Sequence, residues 1–538
     1  MSHIHRLAHR LAAYTAIAVF SNAVATTALM AAPTKASIEH TIIRAMDEFG
    51  VPGMAVSVVH GGEVIYAAGH GILETGSDDR VDVRVDEQTL FQIASVSKAF
   101  TAAALALLVD DGKVGWDEPV IDYLPEFRMH DPWVTREFTI RDLLTHRSGL
   151  PIGAGDLLLI PETNSTREDV ILAMRHLKPD TSFRSKFAYD NLLYIIAGEV
   201  VARASGMSFE DFLEQRLLHP LGMRDCTATL ARTATDAVKA TPHVLMDGKL
   251  ETTLSLESTL ASAAGGINCS ARGMALWMSF VLNEGVAAGG DRLISAAQFR
   301  QLLSPVTLLP GSGYVAENTG SYLNAYALGW NVSTFYGQPM LSHGGGLWGM
   351  TTFIAVMPKQ ELAIFVSNNL MSPAPRAVVN DIIDQYLQDV SNDAGKDWIA
   401  IVAEASGARR SDAATAVAEA EAARDVDSKP SLPLDAYVGT YRDPWYGDIQ
   451  ISRSEDGKLR FESARSAPLS GPMEHFQYDT FIARWPDRKL NADAYVSFSL
   501  EPTGKVERIR MKAVSPTTDF SFDFHDLDLE RVKTSEDR

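Results

Sequence analysis

Residues 95–110 read SVSKAFTAAALALLVD, and this stretch decides how the rest of the chain is read. It is apolar on nearly every side and ends at Asp111-Gly112. A helix without a polar face belongs inside a core, and a glycine just past its end supplies a left-handed cap. The same stretch opens with Ser95 and Lys98, three positions apart. Residues at i and i+3 share a helix face, so the lysine amine sits one turn beyond the serine hydroxyl. A serine is a poor nucleophile until a base takes its proton, and a lysine is such a base only when burial keeps it neutral. Bringing a lysine from its ordinary pKa of ~10.4 to near 7 costs about 4 to 5 kcal/mol, which an apolar helix and a neighbouring partner can supply. The start of the helix also lends a backbone N–H to a developing oxyanion. An S-x-x-K string alone arises by chance about once in a chain of this length, so its surroundings decide what it means.

Upstream, residues 54–68 hold two β-branched runs, MAVSVV and EVIYAA, joined through His60-Gly61-Gly62, which are hairpin-turn residues. Downstream, residues 350–357 (MTTFIAVM) and 362–367 (LAIFVS) form a second strand pair about a turn at 358–361. Residues 376–390 (RAVVNDIIDQYLQDV) have helical spacing. Strands at both ends with helices between them predict an α+β fold, an antiparallel sheet flanked by helices plus a helical subdomain, over residues 33–390. Residues 391–433 read as a helical connector and linker, rich in alanine and glutamate and broken by the prolines of SKPSLP. From 434 to 538, short alternating segments (DIQISR, KLRFES, TFIARW, AYVSFSL, VERIRMK) predict a small all-β, barrel-like domain of about 100 residues.

The chain has 538 residues, 48 basic and 68 acidic side chains and a net charge of −20. Such a surface repels nucleic-acid phosphates and anionic lipid, and no basic run offsets it, so small-molecule or peptide chemistry is expected, with no nucleic-acid partner. Arg6, His9 and Arg10 precede an apolar stretch at 11–20, followed by small residues at 23–25 and at Ala31-Ala32, the layout of a signal peptide over 1–32. Its apolar core is shorter than the about 20 residues a bilayer span needs, so an exported, periplasmic enzyme without stable membrane insertion is expected. Cys226 and Cys269 form no C-x-x-C pair, which leaves a zinc or redox motif unsupported. Two buried thiols are the first expectation and a single disulfide the alternative.

Two further strings follow the serine in chain order. Tyr189-Asp190-Asn191 precedes the apolar run LLYIIAGEVVARASG, and His343-Gly344-Gly345-Gly346 precedes the strand at 350–357, where glycines let backbone come close to a substrate. S-x-x-K, Y-x-N and H-x-G in this order resemble the serine β-lactamase and penicillin-binding-protein family. The likeness is strongest to its class C branch, with its D-aminopeptidases, D-Ala-D-Ala carboxypeptidases and family VIII esterases. The phrases FQIASVSKAFTAAALALLVDDGKV, FTIRDLLTHRSGLP, HPLGMRDC and YALGW extend the resemblance over residues 38–390.

The resemblance implies that Ser95 is the acylated nucleophile, Lys98 its proton acceptor and Tyr189 the phenol or phenolate that passes the proton to the leaving group. It implies that Asn191 orients Lys98 and the substrate amide, and that the N–H groups of Ser95 and Gly346 form the oxyanion hole. Gly345 and His343 line the substrate wall, and no metal or other cofactor takes part. His146 is assigned a structural role. One departure changes the expected substrate: penicillin-recognising members carry a lysine where this chain has His343. A histidine of pKa ~6.5 is mostly neutral at pH 7, so recognition of a β-lactam carboxylate weakens. Cleavage of a small peptide or ester therefore ranks above antibiotic hydrolysis, with an acylation sensor lacking turnover as the non-enzymatic rival. The chain also resembles, in length and C-terminal β module, exported bacterial serine peptidases that cut linearised cyclic peptide toxins such as opened microcystin. Its C-terminal module resembles the lipocalin-like domains of such peptidases, where it covers the site or serves assembly, which leaves a homo-oligomer open.

Overall fold

A computed structural model describes residues 33–76, 83–311, 313–388 and 391–533; the signal-peptide expectation for 1–32 lies outside the described residues. Helix α1 (Lys35–Phe49) leads into the expected hairpin, β1 (Gly53–His60) and β2 (Glu63–Gly71). The other strands of its sheet come much later: β3 (Thr307–Leu309), β4 (Asn324–Tyr326), β5 (Asn331–Phe335), β6 (Gln338–Leu347), β7 (Met350–Met357) and β8 (Leu362–Asn368). The sheet is antiparallel in the order β2-β1-β8-β7-β6-β5-β4-β3, so strands from the two ends of the sequence meet, with Val56 opposite Val366. Seven consecutive residues of β1 and all seven of β8 are buried. That is why MAVSVV and LAIFVS read as continuous apolar runs: each strand is covered on both faces.

One face carries α1, α5 (Ala374–Leu387) and the start of the long helix α6 (Trp398–Ala422), around Ile42, Val378, Ile382 and Trp398. The other side holds the helical region: α2 (Ser97–Asp110), α3 (Leu192–Ser205) and α4 (Ala271–Leu282). Every side chain from Ser97 to Leu108 is buried, as the all-round apolar pattern requires. Phe100 of α2 stacks on Trp277 of α4 with ring centroids 3.9 Å apart. The helix starts two residues later than its sequence pattern, because Ala94 adopts a left-handed conformation (φ 49°) and places Ser95 in a short 3-10 turn. Gly329, in the phrase YALGW, lies against this first turn: a Cβ there would fall 2.8 Å from the Lys98 carbonyl oxygen. Among the described residues no single helix is long and apolar enough to cross a membrane.

The expectation of two free thiols is corrected: Cys226 and Cys269 are bridged, with Cα atoms 4.3 Å apart. The bridge ties the HPLGMRDC loop to the two residues that precede α4, and both positions are buried, which is why burial alone could not tell a thiol from a disulfide.

After α6 the chain forms a closed eight-stranded barrel: β9 (Gly439–Asp443), β10 (Gly447–Arg453), β11 (Leu459–Ser463), β12 (Ser470–Gln477), β13 (Thr480–Ala483), β14 (Ala494–Leu500), β15 (Val506–Ala513) and β16 (Leu529–Arg531). Its interior is filled by Tyr437, Tyr441, Phe461, Phe481, Trp485 and Phe498, which meet mostly edge to face. The barrel is thus filled by a packed aromatic core, and its apolar cluster runs on into that of the helical region.

Candidate active site

The left-handed Ala94 throws Ser95 onto the floor of a cavity of about 660 Å³. A non-glycine residue in this conformation costs of order 1 kcal/mol and persists where the surroundings enforce it. Gly345 of β6 packs against this turn, and a Cβ there would lie 2.4 Å from the Ile93 carbonyl oxygen and 3.2 Å from the Ser95 nitrogen. Gly345, expected on the substrate wall, packs behind the nucleophile turn, where only a missing side chain permits contact. Gly346, one residue on, lines the cavity and would meet no atom within 4 Å.

Lys98 is completely buried, and its amine reaches three oxygens: Ser95 Oγ at 3.0 Å, Asn191 Oδ1 at 2.8 Å and the Ala264 carbonyl at 2.8 Å. Burial lowers its pKa to about 7, against the pull of the Asp156 and Asp190 carboxylates. A neutral amine has two N–H donors and one lone pair. Asn191 Oδ1 and the Ala264 carbonyl can only accept, so they take the two N–H groups, and the lone pair is left facing the Ser95 hydroxyl. That is the geometry of a base. Acylation of Ser95 should therefore rise with pH and level off above an inflection near 7, because protonation below it removes the lone pair. A pH series of acylation rates checks this; a rate flat from pH 5 to 9 contradicts it.

Tyr189 stands beside this pair, with the Lys98 amine 4.8 Å from its ring centre. Burial holds the phenol well above its usual pKa, the Ser95 hydroxyl pulling the other way, so Tyr189 keeps its proton near neutrality and is placed as an acid. Asn191 occupies the N-cap of α3, the start expected from the apolar run that follows it, and its Nδ2 donates to Asp156 Oδ2 at 2.7 Å. His343, on β6, donates from Nδ1 to the Gly344 carbonyl at 2.7 Å and accepts at Nε2 from the Tyr326 hydroxyl at 2.9 Å. Burial and the nearby Lys98 push its pKa down to about 3, so it is neutral throughout the physiological range.

Several residues at the site carry no motif. His146 is left-handed (φ 51°) and packs 4.2 Å from the Tyr189 ring and 4.6 Å from that of Tyr326. Its Nδ1 accepts the Asp190 backbone N–H at 3.1 Å, so it holds the loop that carries Tyr189. In the phrase around it, buried Asp142 pairs with Arg147 at 2.9 Å and Arg184 at 2.6 Å. The cavity walls are mostly apolar, and one wall belongs to the barrel, through residues 489–491, 517 and 519–522. Phe520 meets the Tyr189 ring edge-on at 5.7 Å. The cation of that wall, Lys489, is engaged by the Thr252 carbonyl at 2.8 Å and Glu251 at 3.7 Å.

A serine and a buried lysine beside a neutral histidine, on a helix-flanked antiparallel sheet, are the arrangement of a serine hydrolase. The β-lactamase family model matches residues 38–388, and a domain of unknown function, DUF3471, matches 423–531. The chain belongs to the β-lactamase family, and it is a serine hydrolase. It is 27% identical over 492 residues to the unguisins hydrolase of Aspergillus campestris, covering 88% of each chain. It is 30% identical over 327 residues to penicillin-binding protein 4 of Amycolatopsis lactamdurans, covering 58% of this chain and 79% of that one. Its fold is like that of the octameric penicillin-binding protein homologue from Pyrococcus abyssi, with a TM-score of 0.59, 18% identity and coverage of 92% and 99%. The D-amino acid amidase of Ochrobactrum anthropi matches over 66% of this chain and 99% of its own, with a TM-score of 0.53 and 22% identity.

Proposed function

We propose that the protein cleaves amide bonds in small, non-standard linear peptides through an acyl-enzyme on Ser95, linearised microcystin being one candidate substrate. The observation that carries this reading is the buried, base-form geometry of Lys98 against Ser95 in a largely apolar cavity with no unengaged lysine or arginine among the described residues that line it. Lys98 takes the Ser95 proton as Oγ bonds to the substrate carbonyl carbon. The N–H groups of Ser95 and Gly346 receive the oxyanion. The tetrahedral adduct then expels the amine, to which Tyr189 gives its proton, and Lys98 returns a proton to Tyr189. Water, deprotonated by the same pair, releases the acid and restores Ser95. Neutral His343 offers no fixed charge to a β-lactam carboxylate, which ranks peptides above penicillins. The disulfide and the leader-like N-terminal sequence support action outside the cytoplasm.

Product analysis on a linear D-residue-containing peptide, a short-chain ester and a cephalosporin tests the substrate class. Peptide cleavage with kcat/KM at least about ten-fold above the cephalosporin is the expected result. Turnover of the ester alone makes the protein an esterase, and preferential cephalosporin turnover overturns the charge argument.

A further inference from the structure

Asn191 can serve Lys98 only in one of its two amide orientations. With Oδ1 toward Lys98 it accepts an N–H and leaves the amine lone pair to Ser95. Turned by 180°, its NH₂ would demand that lone pair. Asp156 decides between the two. Burial raises the Asp156 pKa well above the ordinary carboxylate range, but its Oδ2 accepts both the Asn191 Nδ2 at 2.7 Å and the Ser521 hydroxyl, so any proton the acid carries sits on Oδ1 and Oδ2 has no hydrogen to offer an amide oxygen. Asp156 is fully buried and is itself held by the barrel. Ser521, in the β15–β16 connection, donates its hydroxyl to the same Oδ2 at 2.8 Å. Asp523, two residues further, accepts the backbone N–H groups of Gly155 at 2.6 Å and Leu157 at 2.9 Å, on either side of Asp156.

We infer that Asp156 is a positioning residue for the Lys98 base, and that the C-terminal barrel completes the active site by clamping Asp156 through Ser521 and Asp523. The barrel is then a working part of the hydrolase and not only a roof. The chain of contacts runs from Ser521 to Asp156, Asn191, Lys98 and Ser95 with every link between 2.7 and 3.0 Å. This rests on the proposed roles of Ser95 and Lys98.

The test uses the full chain and a fluorophosphonate probe, reading the maximal rate of Ser95 labelling separately from the probe concentration at half-maximal rate. Asp156→Ala should slow the maximal rate on the order of 30-fold, the scale of leaving a buried polar group without its partner, with little change in half-saturation. Asp156→Asn keeps an acceptor at the Oδ2 position and should restore most of that loss. Ser521→Ala should slow labelling about five-fold, and should have no further effect when added to Asp156→Ala. Labelling of Ser521→Ala or Asp156→Ala within two-fold of wild type overturns the inference, as does a Ser521→Ala effect that persists undiminished beside Asp156→Ala. If Asp156→Ala does not fold, Ser521→Ala alone decides. Wild-type protein that takes no label at Ser95 overturns the proposed function itself, which separates the two failures.

Discussion

Replacing Lys98 with alanine is expected to slow acylation of Ser95 by at least about 10³-fold, within the range a positioned general base contributes. The proposed role rests on geometry: the Lys98 amine is 3.0 Å from Ser95 Oγ, whereas the lone pairs of the neutral imidazoles nearby are taken up, at His343 Nε2 by the Tyr326 hydroxyl and at His146 Nδ1 by the Asp190 N–H. Lys98→Arg should fare no better, since a guanidinium does not give up its proton at neutral pH and is too bulky for a fully buried site. Rapid-mixing labelling at pH 8 measures both. A Lys98→Ala protein within ten-fold of wild type would assign the base elsewhere.

The second large effect is expected from a single methyl group. Gly345→Ala puts its Cβ 2.4 Å from the Ile93 carbonyl oxygen and 3.0 Å from the Ala94 Cβ, so strand β6 and the nucleophile turn must separate. The Ser95 N–H moves with that turn, and losing one oxyanion donor typically lowers kcat by about 10² to 10³. The overpacking should also destabilise the fold by about 1–3 kcal/mol. Gly346→Ala provides the contrast: it meets nothing within 4 Å, so thermal stability should stay at the wild-type value. Equal melting temperatures for the two variants would contradict this division of labour between neighbouring glycines.

Much of this arrangement is visible in the sequence, for identifiable reasons. The helix α2, the two hairpins and α5 follow from periodicity and turn residues, which act locally. Ser95, Lys98, Tyr189, Asn191 and His343 were legible as candidates because the chemistry expected of them needs fixed residue types; four of them line one cavity, and Lys98 lies buried against Ser95 and Asn191. The left-handed Ala94 was not legible, because alanine carries no local signal for that conformation and the glycine that lets a strand pack against it, Gly345, is far away in the sequence. The disulfide was hidden because two buried cysteines look alike bridged or free. The clamp on Asp156 was the least accessible. Ser521 lies 365 positions away, in a stretch whose serines and aspartates read as ordinary turn residues. His146 gave a partial signal through the phrase LLTHRSGL, but its aromatic neighbours come from Tyr189, Tyr194 and Tyr326, which meet only in the folded chain.

The most direct test of the central claim, that Ser95 is an activated nucleophile, is intact-mass spectrometry of the protein after a fluorophosphonate, with peptide mapping of the adduct. One adduct per chain, on Ser95 and absent from Ser95→Ala, is the expected result, together with loss of turnover in that variant. An unlabelled wild-type protein, an adduct on another residue, or a Ser95→Ala variant that still turns substrate over would contradict it.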